Sequence, residues 1–197
     1  TVDAAGATTA QGVALTQVSA SGVIAITMGS GSGFIVMTTA NSTEKSFTLD
    51  ASKFDGEVDI SNLNASGVTV SIGSGGDFSA SAIVSLGAGF TLNATSTDAS
   101  GEQINIGVIS ASGVTMNMSA ASFVSAQVSA LGAGSGDFNF SGTNFNGGLH
   151  IMSLSASGAS IITGENFVAS AQSVVLTDNF TLNGAALTSA TITMGTI

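Results

Sequence analysis

Apolar and polar residues alternate along this chain in short runs, and one apolar frame recurs five times. Its clearest copy is Val58-Asp59-Ile60-Ser61-Asn62-Leu63, with apolar residues at the first, third and sixth positions. Side chains alternate between the two sides of a strand, so the first and third positions face the same side. The sixth position lies at an odd offset, so the chain must bend to bring Leu63 to that side. The other frames begin at Val13, Ile104, Leu149 and Ile192.

An Ala-Ser-Gly corner follows each of the first four frames. The corner glycines are Gly22, Gly67, Gly113 and Gly158, at intervals of 45, 46 and 45 residues. A fixed period of this length is typical of stacked repeats. We expect each corner glycine to supply the backbone freedom that turns the chain.

Aromatic residues mark the same period. A Phe-Thr-Leu or Phe-Asn-Phe marker begins at Phe47, Phe90, Phe138 and Phe180. Each unit contains about four short β-runs separated by Gly, Asn, Ser or Asp, and no window shows a sustained helical period.

Four runs per unit fit two coils of roughly 22 residues each. The sequence therefore predicts an all-β fold, a parallel β-solenoid (β-helix) of roughly 45-residue repeats with about two coils per repeat. Stacked coils would place the first residues of all five frames, Val13, Val58, Ile104, Leu149 and Ile192, in one interior row.

The domain organisation follows from the period. We expect one continuous array over residues 1–197, with a partial repeat at 1–18 and repeats at 19–63, 64–109, 110–154 and 155–197. A string of separate sandwich domains is the alternative, but so short a unit is too small to form a good core alone. The array begins and ends within a repeat, so we expect a fragment or processed piece of a longer protein.

Charge restricts the range of partners. The chain has no Arg and only two Lys, Lys45 and Lys53, against 12 acidic residues, for a formal net charge of -10. It has no basic patch to neutralise phosphates, so nucleic acids and anionic membrane surfaces are not expected partners. No apolar run approaches the roughly 18 residues of a membrane span, so membrane insertion is not expected. The absence of Cys excludes disulfides and thiol chemistry.

Two stretches carry a family resemblance, residues 47–60 and 65–77. They resemble the β-solenoid repeats of secreted bacterial surface proteins, a class that includes RTX-type S-layer proteins and large adhesins. RTX nonapeptides, Gly-Gly-x-Gly-x-Asp-x-U-x, bind Ca²⁺ between coils. Gly73, Gly75 and Asp77 match that pattern, whereas Ile72 replaces its first glycine and Ser79 its large apolar residue. Because tandem nonapeptides are missing, a calcium ladder is not expected.

One acidic cluster is a candidate metal site. It comprises Asp50, Asp55, Glu57 and Asp59, and Asp77 joins it through the nonapeptide match. Glu57 and Asp59 are two residues apart and flanked by inward apolar residues, so we expect both to face outward. Carboxylate oxygens suit a hard cation such as Ca²⁺. The alternative interpretation is a solvated face that prevents edge-to-edge pairing of sheets.

Other candidate chemistry is sparse, and we do not expect an enzyme. The single histidine, His150, follows an inward Leu149 and should face outward, so a Ser-His-Asp triad is not predicted. The chain lacks Trp, Tyr and Arg, with which sugar-processing β-helix enzymes would hold a substrate. The threonine-rich segment 188–193 is similar to ice-binding arrays, but such an array needs threonines in register on successive coils, and the sequence does not indicate that register.

The sequence thus predicts a non-catalytic structural component of an extracellular surface layer, filament or fibre. The expected partner is another copy of the same protein, because open solenoid ends are unpaired sheet edges. The alternative is the stalk or binding module of an adhesin or phage fibre at the cell surface. An adhesin would need a distinct tip, whereas a lattice protein needs side-to-side contacts along its repeats.

Overall fold

Every strand that the structure describes belongs to one sheet that winds into a solenoid. The structure is a computed structural model, and it describes residues 2–4, 12–73, 77–94, 103–118, 125–143, 145, 147–164, 168–183 and 191–196. Fifteen strands pair in parallel, in about 7 turns. The described residues contain no helix, and so none that could cross a membrane.

The strands are β1 (Val2–Ala4), β2 (Val13–Ser19), β3 (Ile24–Met28), β4 (Phe34–Ala51), β5 (Glu57–Ile72), β6 (Phe78–Ala94), β7 (Gln103–Ala111), β8 (Val114–Met118), β9 (Ser125–Gly132), β10 (Phe138–Gly142), β11 (Gly148–Ala156), β12 (Ala159–Thr163), β13 (Val168–Leu176), β14 (Phe180–Asn183) and β15 (Thr191–Thr196).

The first frame position forms a continuous column from coil to coil. Its members are Val13, Ile35, Val58, Phe78, Ile104, Ala126, Leu149, Ala169 and Ile192, each paired with the next. The predicted alignment is therefore confirmed, with one further coil between each pair of predicted members, and Val58, Ile104 and Leu149 are buried in the interior. Neighbours in the column are 20 to 26 residues apart, and the repeat length itself stays a prediction.

The bend within the frame is also confirmed. In β5, Val58 and Ile60 are buried, Ser61 and Asn62 are at least partly exposed, and Leu63 is buried again. Each coil therefore has a bent segment that carries the frame, followed by a straight strand. We call the side built from the bent segments the first face.

The straight strands form the second face of the solenoid. They are β3, residues 46–51 of β4, 67–72 of β5, 89–94 of β6, β8, β10, β12 and β14. The continuous sheet excludes the alternative of separate sandwich domains, because every pair of successive coils shares a parallel ladder of backbone hydrogen bonds.

The aromatic marker explains how the core is filled. Its column on the second face runs Ile24, Phe47, Val68, Phe90, Val114, Phe138, Ala159, Phe180, and all of these side chains except that of Phe180 are buried. From Phe47 onward, every second coil contributes a phenylalanine ring to this column, and each coil between them contributes a smaller side chain. Alternation of large and small side chains fills the interior evenly, which tight packing requires.

The corner glycines do not have the backbone conformation that we expected. Among the described residues a positive φ occurs at Gly89 (85°) and Gly134 (58°), and at none of the four corner glycines. Space explains the glycine at Gly67, whereas a Cβ at Gly22 or Gly113 would meet no atom closer than 3.8 Å. A Cβ added at Gly67 would lie 3.0 Å from the Cβ of Ala88 on the next coil. Glycine there permits close approach of successive coils rather than an unusual dihedral angle.

Gly89 and Gly113 provide a matched test of this conclusion. A Cβ at Gly89 would lie 2.9 Å from the Gly113 carbonyl oxygen, whereas one at Gly113 would lie 3.8 Å from the Asp137 carbonyl oxygen, an ordinary contact. Gly89→Ala should lower the free energy of unfolding by about 1–2 kcal/mol, because its φ is left-handed. Gly113→Ala should leave it unchanged or raise it slightly. Urea unfolding of both variants measures the difference, and equal effects would contradict it.

Thr163 offers a stabilising substitution. Its side chain is buried, and its Oγ1 has no hydrogen-bond partner, alone among the buried side-chain polar atoms of the described residues. An unsatisfied buried hydroxyl costs about 1–3 kcal/mol. Thr163→Val keeps the shape and removes the hydroxyl, so thermal unfolding should show a stability gain of roughly 1 kcal/mol. Thr163→Ser, which keeps the hydroxyl and loses the methyl group, should not gain stability.

Candidate interaction surface

The five predicted metal ligands lie on three different parts of the solenoid. Glu57 and Asp59 face outward on the first face, as predicted, with Glu57 exposed and Asp59 partly exposed. Asp77 is exposed at the corner before the next coil, where its carbonyl oxygen accepts the Val58 N–H at 2.8 Å. Asp50 is on the second face, and Asp55 is in the turn between the faces.

Two of these carboxylates accept hydrogen bonds close to their own strands. Asp50 Oδ1 accepts the backbone N–H of Ser52 at 3.1 Å and its hydroxyl at 2.6 Å, which fixes the turn after β4. Asp59 Oδ1 accepts the hydroxyl of Ser79 on the next coil at 2.9 Å. Both contacts stabilise local structure and need no metal ion.

Asp77 is also engaged in contacts between coils. Its Oδ1 accepts the backbone N–H of Gln103 at 2.7 Å, while Gly75 of the RTX-like match lies outside the described residues. Within the part of the chain that the structure describes, no three acidic or histidine side chains come together in a group that could hold a metal ion. The five carboxylates therefore do not form one common group, and calcium binding by them stays a prediction.

His150 lies on the open surface of the first face. Its side chain is exposed, as predicted, and its Nδ1 is 2.7 Å from the Oγ of Ser170 on the next coil. On the coil before, the paired residue is Gln127. A hydroxyl and an imidazole thus meet, but the residues paired with His150 on both sides are neutral, so the register supplies no carboxylate to orient the ring.

The second face carries a rank of threonines that the sequence analysis missed. Thr48, Thr69, Thr91 and Thr115 are paired in series on four successive coils, and all four point outward. The expectation that threonines are not in register is wrong for these four coils, although Thr191 and Thr193 pair with Val168 and Ser170 and not with threonines. The rank continues through Asn139, Ser160 and Thr181. The segment 188–193 that prompted the comparison lies partly outside the described residues.

The signal for this rank was present in the sequence. Each threonine is the middle residue of an apolar-x-apolar triplet, as in Phe47-Thr48-Leu49 and Val68-Thr69-Val70. The triplets of even and odd coils differ in their apolar residues, so the aromatic marker identified only every second one. The pairing of coils decides that Thr48 and Thr69 are neighbours.

A second outward rank runs beside the threonines. It consists of Thr27, Asp50, Ser71, Asn93, Asn117, Ser141, Ile162 and Asn183. Asn117 Nδ2 donates to Asn93 Oδ1 at 2.8 Å, so amide groups on adjacent coils support each other. From Thr69 to Asn183 the outward positions of these two ranks hold no ionisable side chain, and all except Ile162 carry a hydroxyl or amide group.

A shallow polar groove follows the edge of the second face. Two depressions, of about 240 and 150 Å³, share Asp137 and Asn139 in their linings. Asp137 Oδ1 accepts the Gly158 N–H at 2.9 Å, which ties its carboxylate to the next coil. The lining combines hydroxyl, amide and backbone groups with the carboxylates of Asp137 and Asp178, so the groove offers hydrogen bonds to a passing chain.

Removal of calcium tests the metal hypothesis. Because the five carboxylates do not form a common site, we expect a chelator to leave the thermal unfolding midpoint unchanged. We also expect Ca²⁺ to act no differently from Mg²⁺ at equal ionic strength. A stabilisation specific to Ca²⁺ that is lost after Glu57→Gln and Asp59→Asn would instead establish a calcium site there.

The chain matches no protein-family model, and no curated protein and no solved structure is significantly similar to it. Its function must therefore be inferred from the fold and from the surfaces described above.

Proposed function

We propose that this protein is a non-catalytic structural component of an extracellular surface layer, filament or fibre. One observation supports the proposal above all others. One continuous apolar core runs through the solenoid from Ile24 to Val174, so these coils are built as a regular rod. Successive coils therefore add to a rigid rod with a repetitive exterior.

The mechanical role follows from the direction of the backbone hydrogen bonds. In a parallel solenoid these bonds run along the axis, so a pull along the rod loads many of them together. Buried columns such as Ile35, Val58 and Ile104 exclude water from their length. The exterior consists mostly of short Ser, Thr, Asn and Gly, which permits close side-to-side packing.

The alternative role is a stalk or binding module of an adhesin or phage fibre. The polar groove along the edge of the second face favours it, since a groove parallel to the axis could receive an extended polymer. The proposed structural role is preferred because the groove is shallow and its carboxylate at Asp137 is engaged with the next coil.

Imaging tests the proposal. Antibodies raised against the purified chain should label intact, unpermeabilised cells that produce it, and electron microscopy should show the label along sheets or continuous filaments. Isolated stalks that end in a distinct tip would favour the adhesin role. Label confined to the cell interior would contradict both roles.

A further inference from the structure

We propose that the second face binds the second face of another copy of this chain. The inference rests on the structural function proposed above and identifies the surface through which neighbouring copies meet side by side. It is carried by the shape, the period, the charge and the area of that face.

The second face is built from straight strands, and the shallow groove along its edge is lined in part by Thr91, Thr115 and Asn139. Each coil contributes one straight strand, such as β8 (Val114–Met118) or β10 (Phe138–Gly142), whereas the first face bends within each coil. Outward side chains on the second face are mostly Thr, Ser and Asn. Short side chains lose less conformational entropy on burial than the long charged ones that cover most protein surfaces.

The period of the face matches that of another copy. Outward groups recur about every 4.8 Å from coil to coil and about every 6.6 Å along a strand. A partner can contact every coil only if it has the same spacing, and a second copy has it necessarily. Thr48, Thr69, Thr91 and Thr115 provide the regular rank for such a contact.

Charge favours this face over the other. The chain has a net charge of -10, so copies repel one another. The face contains one ionisable side chain among its outward positions, Asp50 on the coil of Thr48, and its carboxylate already accepts two hydrogen bonds from Ser52. From Thr69 to Asn183 the outward positions contain none, so contact over these coils avoids the cost of desolvating a carboxylate. The first face presents Glu57 and Asp59 instead. Asp137 and Asp178 are exposed at the corner, at the rim of the contact, where salt screens them.

The area of the face predicts a weak contact. About 7 turns at roughly 4.8 Å give a length of about 34 Å, and a five-residue strand gives a width of about 16 Å. Two copies would together bury roughly 1,100 Å², close to the lower limit of about 1,200 Å² for stable interfaces. We therefore expect a pair that dissociates on dilution and is strengthened by salt.

The threonine rank also indicates where to perturb the contact. Eight coils contribute to it, from Ala25 to Thr181, and Thr91 and Thr115 are the two in the middle. In a twofold-symmetric pair, residues at the centre meet the same residues of the other copy. Substitutions at Thr91 and Thr115 therefore act on both partners at one place.

The experiment is sedimentation velocity of the full chain over a concentration series. The first variant, Thr91→Glu with Thr115→Glu, places four carboxylates at the centre of the pair. The matched control, Asn105→Glu with Gln127→Glu, occupies outward positions on adjacent coils of the first face. Both variants change the net charge from -10 to -12, so a general charge effect would be equal in the two. Circular dichroism and thermal unfolding establish that each variant is folded.

We expect the parent to associate reversibly, and more strongly at ~1 M than at ~0.15 M salt, because the Debye length falls from about 8 to 3 Å. The second-face variant should associate at least about tenfold more weakly, while the control stays close to the parent. A third variant, Thr91→Lys with Thr115→Lys, should restore association when mixed with the glutamate variant. If the glutamates impair folding, Thr91→Gln with Thr115→Gln tests the same contact by bulk alone.

Several results would overturn the assignment. A parent that is monomeric at all concentrations and both salt levels would refute self-association through this face. If self-association is weakened equally in the second-face glutamate variant and in its first-face control, the cause would be a general charge effect. Selective weakening of the control would move the contact to the first face and leave the structural role intact. A monomeric parent that inhibits ice recrystallisation would assign the threonine rank to crystalline water instead.

Discussion

The parallel ladder between coils is the constraint on which the whole molecule depends. Each strand pairs with the one a coil earlier and the one a coil later, so every residue lies between two others about 4.8 Å away. An inward side chain must therefore fit the residues above and below it as well as those across the core. Phe47, for example, lies between Ile24 and Val68 in its column. A local choice of residue thus has consequences over neighbouring coils.

The alternation of large and small residues follows from that constraint. Phe90 and Phe138 are separated by Val114, and Phe78 is followed along its column by Ile104 and then Ala126. Both faces of one coil must fill a common interior, so a ring in one column favours smaller residues beside it. The smallest unit that alternates large and small inward residues is a pair of coils, one with the larger residue and one with the smaller. This gives a physical reason for a sequence period longer than one coil.

The outward positions are those that the core does not use. In this chain their side chains are mostly short and uncharged. Because a strand alternates, each pair of inward residues fixes one outward position between them, and the ladder aligns those positions into ranks. A rank of Thr48, Thr69, Thr91 and Thr115 is thus produced by the same register that aligns the core. Rigidity and a repetitive surface arise together, and a structural role uses both.

Much of the architecture could be predicted from the sequence because the interior rows depend on residue type alone. Frames starting at Val58, Ile104 and Leu149 repeat their apolar positions, and the odd offset to Leu63 indicated the bend. The candidate site could not be predicted in the same way. Asp50 is close in sequence to Glu57, but the winding of the chain places it on the second face. Glu57 and Asp77 instead directly precede the paired residues Val58 and Phe78 on successive coils.

The sequence by itself determined the fold class, the inward rows and the outward direction of Glu57, Asp59 and His150, because strand alternation is a local property. Only the tertiary structure decided which outward residues are neighbours. That choice depends on the register between coils 20 to 26 residues apart, and coil length varies with the turns. The threonine rank of the second face and the dispersed carboxylates are both consequences of that register.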